Sequence, residues 1–196
     1  MSAILAYGDI DPGTQSQRVF RSLLQAMAEP GTIANLHAQI QSPDGLGRAQ
    51  AAIALTLFDN ETPVWLSPSL RTAAIETFLR FHTGAPLVDD PAMASFAIAR
   101  SSADLPSLES FDIGSDEIPE KGATIIVETT LLATGSGRVL RGPGIPSQRS
   151  FEFWGVMEAF WTARAQVCAL TPRGLDFIFT SGDSLTALPR TTIVED

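Results

Sequence analysis

The stretch Ala123-Thr-Ile-Ile-Val127 is apolar almost without interruption and lacks the two-residue alternation of a half-exposed strand. Such a run is stable only when both faces of the strand are covered, so it predicts an interior strand of a layered sheet. Further short strands are predicted at Thr32–Leu36, Val64–Leu66, Ser95–Ala99, Leu175–Phe179 and Leu185–Leu188, with another apolar tripeptide at Pro86-Leu87-Val88. Between them lie helical patterns. Thr14 with Gln17 forms a capping-box signature for a helix to Ala28, with Val19, Phe20, Leu23, Leu24 and Met27 on one face. Leu46–Phe58 reads as an Ala-rich apolar helix. Ser67-Pro68 starts another, with Leu70, Ala74, Phe78 and Phe81 as its buried stripe and Gly84-Ala85-Pro86 as its end. Phe151–Leu170 carries the longest helical pattern. Ala123–Leu132 reads as one strand, turned back at Thr134-Gly-Ser-Gly137 into Arg138–Arg141 and stopped by Gly142-Pro-Gly144. Residues 104–122 hold six acids and read as an irregular solvated segment. Helices alternate with short strands over most of the chain. This predicts a single α/β domain, a mixed central sheet with helices on both faces.

Charge narrows the function. Twenty-two acids against thirteen bases give −9, which repels polyanions and argues against nucleic-acid binding. No apolar run approaches the roughly 20 residues of a membrane span, and no secretory signal is visible, so a cytoplasmic location is expected. One cysteine, Cys168, and two histidines, His37 and His82, are too few for a structural zinc site. No metal and no cofactor are expected.

Twelve of the thirteen bases are Arg and one, Lys121, is Lys. Lys121 lies in Pro119-Glu-Lys-Gly122, a turn sequence and not an apolar pocket that would activate an amine for Schiff-base chemistry. Gly182-Asp-Ser-Leu185 spells a lipase and esterase signature, but both histidines precede it and it falls where a turn between strands is expected. A hydrolase built on Ser184 is rejected. Neither Thr134–Gly137 nor Arg141-Gly-Pro-Gly144 has the Lys-Ser/Thr of a phosphate-binding loop.

Anion binding has better candidates. Arg80, His82 and Thr83 cluster at a helix end, Arg141 precedes Gly-Pro-Gly, and Arg190 sits in Pro189-Arg-Thr-Thr192. Each joins a donor side chain to broken backbone, a combination that suits phosphate or phosphonate oxygens. The competing readings are a helix C-cap for residues 80–84 and carboxylate-paired surface arginines for the others.

Thr62-Pro-Val-Trp-Leu66, Leu79-Arg-Phe-His-Thr83 with Ala85-Pro86, Gly122-Ala-Thr-Ile-Ile126, Leu140-Arg-Gly-Pro-Gly-Ile145 and Pro189-Arg-Thr-Thr192 together resemble the PhnH subunit family of the carbon–phosphorus lyase system. Phe20–Leu24 and Ala26–Gly31 fit the same pattern. The resemblance covers residues 15–196, leaving residues 1–14 as an N-terminal extension. It implies a fold similar to the large domain of pyridoxal-phosphate (PLP) transferases without the cofactor, in agreement with the reading of Lys121. A homodimer is also implied, to which aromatic residues of Phe151–Trp161 add support, since they cannot all face one helix stripe. The resemblance implies assembly with PhnG, PhnI and PhnJ, and action with PhnL. Together these transfer a phosphonate to ribose C1 of ATP with release of adenine, forming alpha-D-ribose 1-methylphosphonate 5-triphosphate. Two roles follow for this chain. One is a non-autonomous synthase subunit that binds a phosphonate or ATP-derived ligand; the other is a scaffold dimer that only stabilises its partners.

Overall fold

A computed structural model describes residues 12–38 and 40–195. Residues 1–11, most of the expected extension, lie outside the described residues. The elements run α1 (Pro12–Ala28), β1 (Ala34–Asn35), α2 (Arg48–Leu57), β2 (Val64–Leu66), α3 (Ala73–Thr83), β3 (Leu87–Val88), β4 (Phe96–Ala99) and β5 (Thr124–Glu128). They continue with β6 (Leu131–Arg141), β7 (Arg149–Trp154), α4 (Glu158–Cys168), β8 (Asp176–Ser181), β9 (Ser184–Leu188) and β10 (Ile193–Glu195). Residues 104–122 are irregular apart from 3-10 turns such as Leu108–Ser110 and Pro119–Lys121.

A seven-stranded mixed sheet, ordered β1-β9-β8-β5-β4-β2-β3, forms the centre. β5 lies between β4 and β8, parallel to both. Ala123, Ile125, Ile126 and Val127 are fully buried, as an unalternating apolar strand requires. Successive side chains serve opposite faces. Leu66, Ile98, Ile126 and Ile178 pack under the first three helices with Val19, Leu23, Ile53, Ile75 and Leu79. Trp65, Ala97, Ile125, Val127, Phe177 and Phe179 pack on the other face with Phe151, Phe160 and Trp161. That second face is covered by α4 and by a small sheet ordered β10-β6-β7. The α/β layering with helices on both faces is therefore present, with a second sheet sharing one cover.

Several local expectations are corrected. Ala123–Leu132 is not one strand. Thr129 N–H still bonds Thr180 O beside β8, but Thr130 N–H bonds Trp154 O, so the chain crosses from one sheet to the other between them. Thr134–Gly137 is not a hairpin turn. β6 continues through it as a bulge, with Thr134 and Arg138 both opposite Phe151. A Cβ on Gly137 would meet the backbone O of Phe151 at 2.4 Å, which explains that glycine. The true hairpin turn lies beyond Arg141, where Gly142 and Gly144 have φ of 137° and 81°.

Residues 151–154 belong to β7, and the predicted helix Phe151–Leu170 shrinks to Glu158–Cys168. Phe151 and Phe153 alternate with Ser150, Glu152 and Trp154, and this two-residue period prevails over the helical one until Gly155, at φ 84°, ends the strand. In α1, Val19, Leu23 and Ala26 are buried whereas Phe20 and Leu24 stand 44% and 54% exposed, one residue around the helix from the stripe. Thr14 lies inside that helix and not at its cap. Ser67-Pro68 heads only the 3-10 turn Pro68–Leu70; α3 starts after Thr72, whose Oγ1 accepts from Ile75 N–H. The buried stripe of α3 is accordingly Ile75 and Leu79, while Ala74 and Phe81 face solvent. The strand expected over Thr32–Leu36 contracts to Ala34–Asn35.

Ile126→Ala should cost about 2–5 kcal/mol in urea unfolding, whereas Phe81→Ser should change stability by less than about 0.5 kcal/mol.

Candidate functional site

Arg80, His82 and Thr83 are brought together on the last turn of α3. Arg80 pairs with Glu76 at 3.3 Å, one helical turn back. Thr83 Oγ1 donates to Leu79 O at 2.7 Å and accepts from Ala85 N–H at 3.1 Å. Gly84, left-handed at φ 73°, closes the helix by donating to Arg80 O. The His82 ring lies tilted 4.8 Å from Phe78 and edge-on 5.0 Å from Phe81, and partial desolvation lowers its pKa, favouring neutral imidazole. The partial charge at a helix C-terminus is negative, so the backbone here opposes an anion and any attraction comes from Arg80.

Arg141 and Arg190 belong to other surroundings. Arg141, at the end of β6, reaches Glu195 at 3.1 Å and Gln148 at 2.6 Å. Arg190, just beyond β9, grips Asp176: Nη2 donates to Oδ2 at 2.6 Å and its backbone N–H to Oδ1 at 2.7 Å. Its Nη1 also donates to Pro119 O. These bonds join the start of β8 to the segments before β5 and after β9. Arg190 is thus engaged by the fold on several sides.

Open functional groups gather at the carboxyl edge of the parallel strands. The chain leaves β2 toward β3 and leaves β4 toward β5, so its direction across the sheet reverses between β2 and β4, one strand over from the ends of β4 and β5. Crevices outside such strand ends are where open α/β sheets bind ligands. Near this edge a cavity of about 340 Å³ is lined by Arg100, Ser101, Glu128, Thr129, Thr130 and Gly155. Arg100 follows β4 directly and Glu128 ends β5, next to the paired residues Ala99 and Val127.

Neighbouring polar groups hold this edge in place. Buried Gln50 donates to Ala99 O at 2.9 Å and accepts from Gly47 N–H at 3.2 Å. Ser67 Oγ accepts from Arg100 N–H at 3.3 Å. Thr129 Oγ1 donates to Thr180 O at 3.1 Å. Gly47, the N-cap of α2, lies against the Glu128 carboxylate, which a Cβ there would meet at 2.7 Å. Burial pushes the Glu128 pKa up, and the nearby Arg100 charge partly opposes that rise.

This arrangement offers an anionic ligand a guanidinium and hydroxyls, beside a carboxyl whose pKa burial raises. Among the described residues, no group of three or more His, Cys, Asp or Glu is placed to hold a metal ion. Sequence reasoning missed Arg100 and Glu128. The available signal was positional: each is the first charged residue at the carboxyl end of an apolar parallel strand.

The family described as "Bacterial phosphonate metabolism protein (PhnH)" matches residues 7–195. The chain is also similar to the alpha-D-ribose 1-methylphosphonate 5-triphosphate synthase subunit PhnH of Rhizobium meliloti (strain 1021). The two are 38% identical over 185 residues, spanning 94% of this chain and 92% of the relative. Similarity extends to HtxG of Stutzerimonas stutzeri, which carries a C-P lyase subunit designation, at 29% identity over 91% of this chain and 85% of that protein.

Because the folded Glu128 pKa lies above its ordinary value, its contribution to stability is present below the unfolded carboxyl range and lost as pH rises through the folded value. Glu128→Gln should therefore match the wild type near about pH 4 and exceed it at neutral pH, measured by urea unfolding across that range.

Proposed function

The chain belongs to the PhnH family of bacterial phosphonate metabolism proteins, and on that premise we propose that it is the PhnH subunit of an alpha-D-ribose 1-methylphosphonate 5-triphosphate synthase within a carbon–phosphorus lyase system. The near full-length match to a relative bearing that name carries this reading. In it the chain is non-autonomous. With PhnG, PhnI and PhnJ in a core assembly, and with PhnL, it takes part in transferring a phosphonate to ribose C1 of ATP with loss of adenine. The cytoplasm is its proposed location. No helix among the described residues is long and apolar enough to cross a membrane.

The carboxyl-edge cavity is the proposed contact for a phosphonate or ATP-derived group, with Arg100 meeting anionic oxygens. Arg80 and His82 form a second candidate contact, exposed beside Phe81 and so open to a partner. Arg141, Arg190 and Thr83 have their donors directed mainly at the fold. Homodimerisation is proposed through the apolar surface around Leu131 and Trp154, which are paired across β6 and β7, and Met157; each is at least 50% exposed. The kinship with the large domain of PLP transferases is proposed at the level of fold alone. Lys121, ending the 3-10 turn Pro119–Lys121, is exposed and is assigned no cofactor role.

The scaffold role is separated by reconstituting the complex with and without this chain and measuring assembly and adenine release independently. The synthase reading requires that omission abolish release. Arg100→Met should assemble normally but lower release about ten-fold, the loss expected for one charge-assisted hydrogen bond. Normal release from Arg100→Met with impaired Arg80→Met and His82→Ala would move the contact to α3. Wild-type release from all three assembled variants would leave only the scaffold role.

A further inference from the structure

Arg164 lies on the inner face of α4 and is only 2% exposed. Its Nη1 donates to Thr192 O and its Nη2 to Pro189 O, each at 3.0 Å, and its guanidinium lies 5.6 Å from the Phe177 ring centre. Both hydrogen-bond partners are neutral carbonyls. Among the described residues no carboxylate forms an ion pair with Arg164; the charge of Asp176 acts on it at longer range only, and Asp176 itself is paired with Arg190 at 2.6 Å. Burial raises the pKa of the neighbouring Cys168 thiol, so it supplies no anion either. Arg164 Nε is buried without an acceptor, as is Thr192 Oγ1 without any partner. A buried, unpaired guanidinium is costly, and an anion placed against it would offset that cost.

Space for an anion adjoins it. A cavity of about 370 Å³ is lined by Arg164, Trp161, Ala165, Cys168, Thr191 and Ile193, among others. It shares no lining residue with the carboxyl-edge cavity. Its walls combine the indole of Trp161 with aliphatic groups of α4 and β10, so a bare inorganic ion would leave apolar surface unfilled. We propose that this cavity is a separate binding site for a small organic acid, whose carboxylate or phosphonate meets Arg164 and whose apolar body packs against Trp161 and Ile193. The proposal rests on this chain's own geometry and stands apart from the synthase reading.

Isothermal titration of the full chain with benzoate tests it, with inorganic phosphate as the comparison. Saturable binding of benzoate, at least ten-fold tighter than phosphate, is expected. Arg164→Met should weaken binding ten-fold or more. Because that change touches a buried residue, Ala165→Phe provides a second variant: residue 165 is exposed on α4, and the added ring would fill the cavity without disturbing the core. It too should weaken binding ten-fold, whereas Arg21→Met, on the exposed face of α1, should bind as the wild type does. Absence of saturable binding to the wild type, equal affinity for phosphate, or retention of binding in both Arg164→Met and Ala165→Phe would overturn the proposal.

Discussion

Six aromatic rings from three elements join the two sheets. Phe153 of β7 lies 4.9 Å from both Trp161 of α4 and Phe179 of β8, and Phe160 lies 5.2 Å from Phe177. Phe151 extends the cluster toward β6, 4.6 Å from Phe153. The arrangement answers a requirement set by β5. A strand apolar on both faces needs two covers, and the first three helices supply only one. The second has to come from the last third of the chain, where large aromatic surfaces fill the gap between a small twisted sheet, one helix and the central sheet.

Both cavities depend on that docking. Gly155, at the joint between β7 and α4, closes one side of the carboxyl-edge cavity against Arg100 and Glu128. The Arg164 cavity exists because α4 lies across the Pro189–Val194 segment. The same docking divides the arginines by task. Arg138 covers the Trp161 ring at 4.9 Å, and Arg190 clamps Asp176 and the turn before β5. Arg100 and Arg164 instead keep donor capacity beside open space. In a chain with only thirteen bases, the cations that bind and those that fasten differ in what surrounds them and not in residue type.

The central strands were legible because burial on both faces leaves a direct mark: Val64–Leu66, Phe96–Ala99 and Ala123–Val127 are apolar without alternation. Helix α2 was legible for a similar reason, as a continuous Ala-rich segment. Legibility failed where two periods overlap. Phe153, Val156, Met157, Phe160, Trp161 and Ala165 fit a helical spacing on paper, yet Phe153 alternates with Glu152 and Trp154 within β7. Thr134–Gly137 carries turn residues, but its glycines admit Glu152 and Phe151 against a bulge. At the site, Arg80 to Thr83 were visible as a local cluster. Arg100 and Glu128 were not, because they meet only through strand pairing. Arg164 resembles any cation in an Ala-rich helix; its burial comes from contacts 25 and 28 residues away.

The aromatic cluster makes the small sheet, α4 and the large sheet one cooperative unit. A double-mutant cycle on Phe153→Ala and Phe179→Ala probes this, with unfolding followed by both tryptophan fluorescence and far-UV circular dichroism. Coincident single transitions and a coupling of about 0.5–1.5 kcal/mol between the two rings are expected. Additive effects within about 0.3 kcal/mol, or an early fluorescence transition separate from the loss of secondary structure, would mean that the two sheets are not joined in this way.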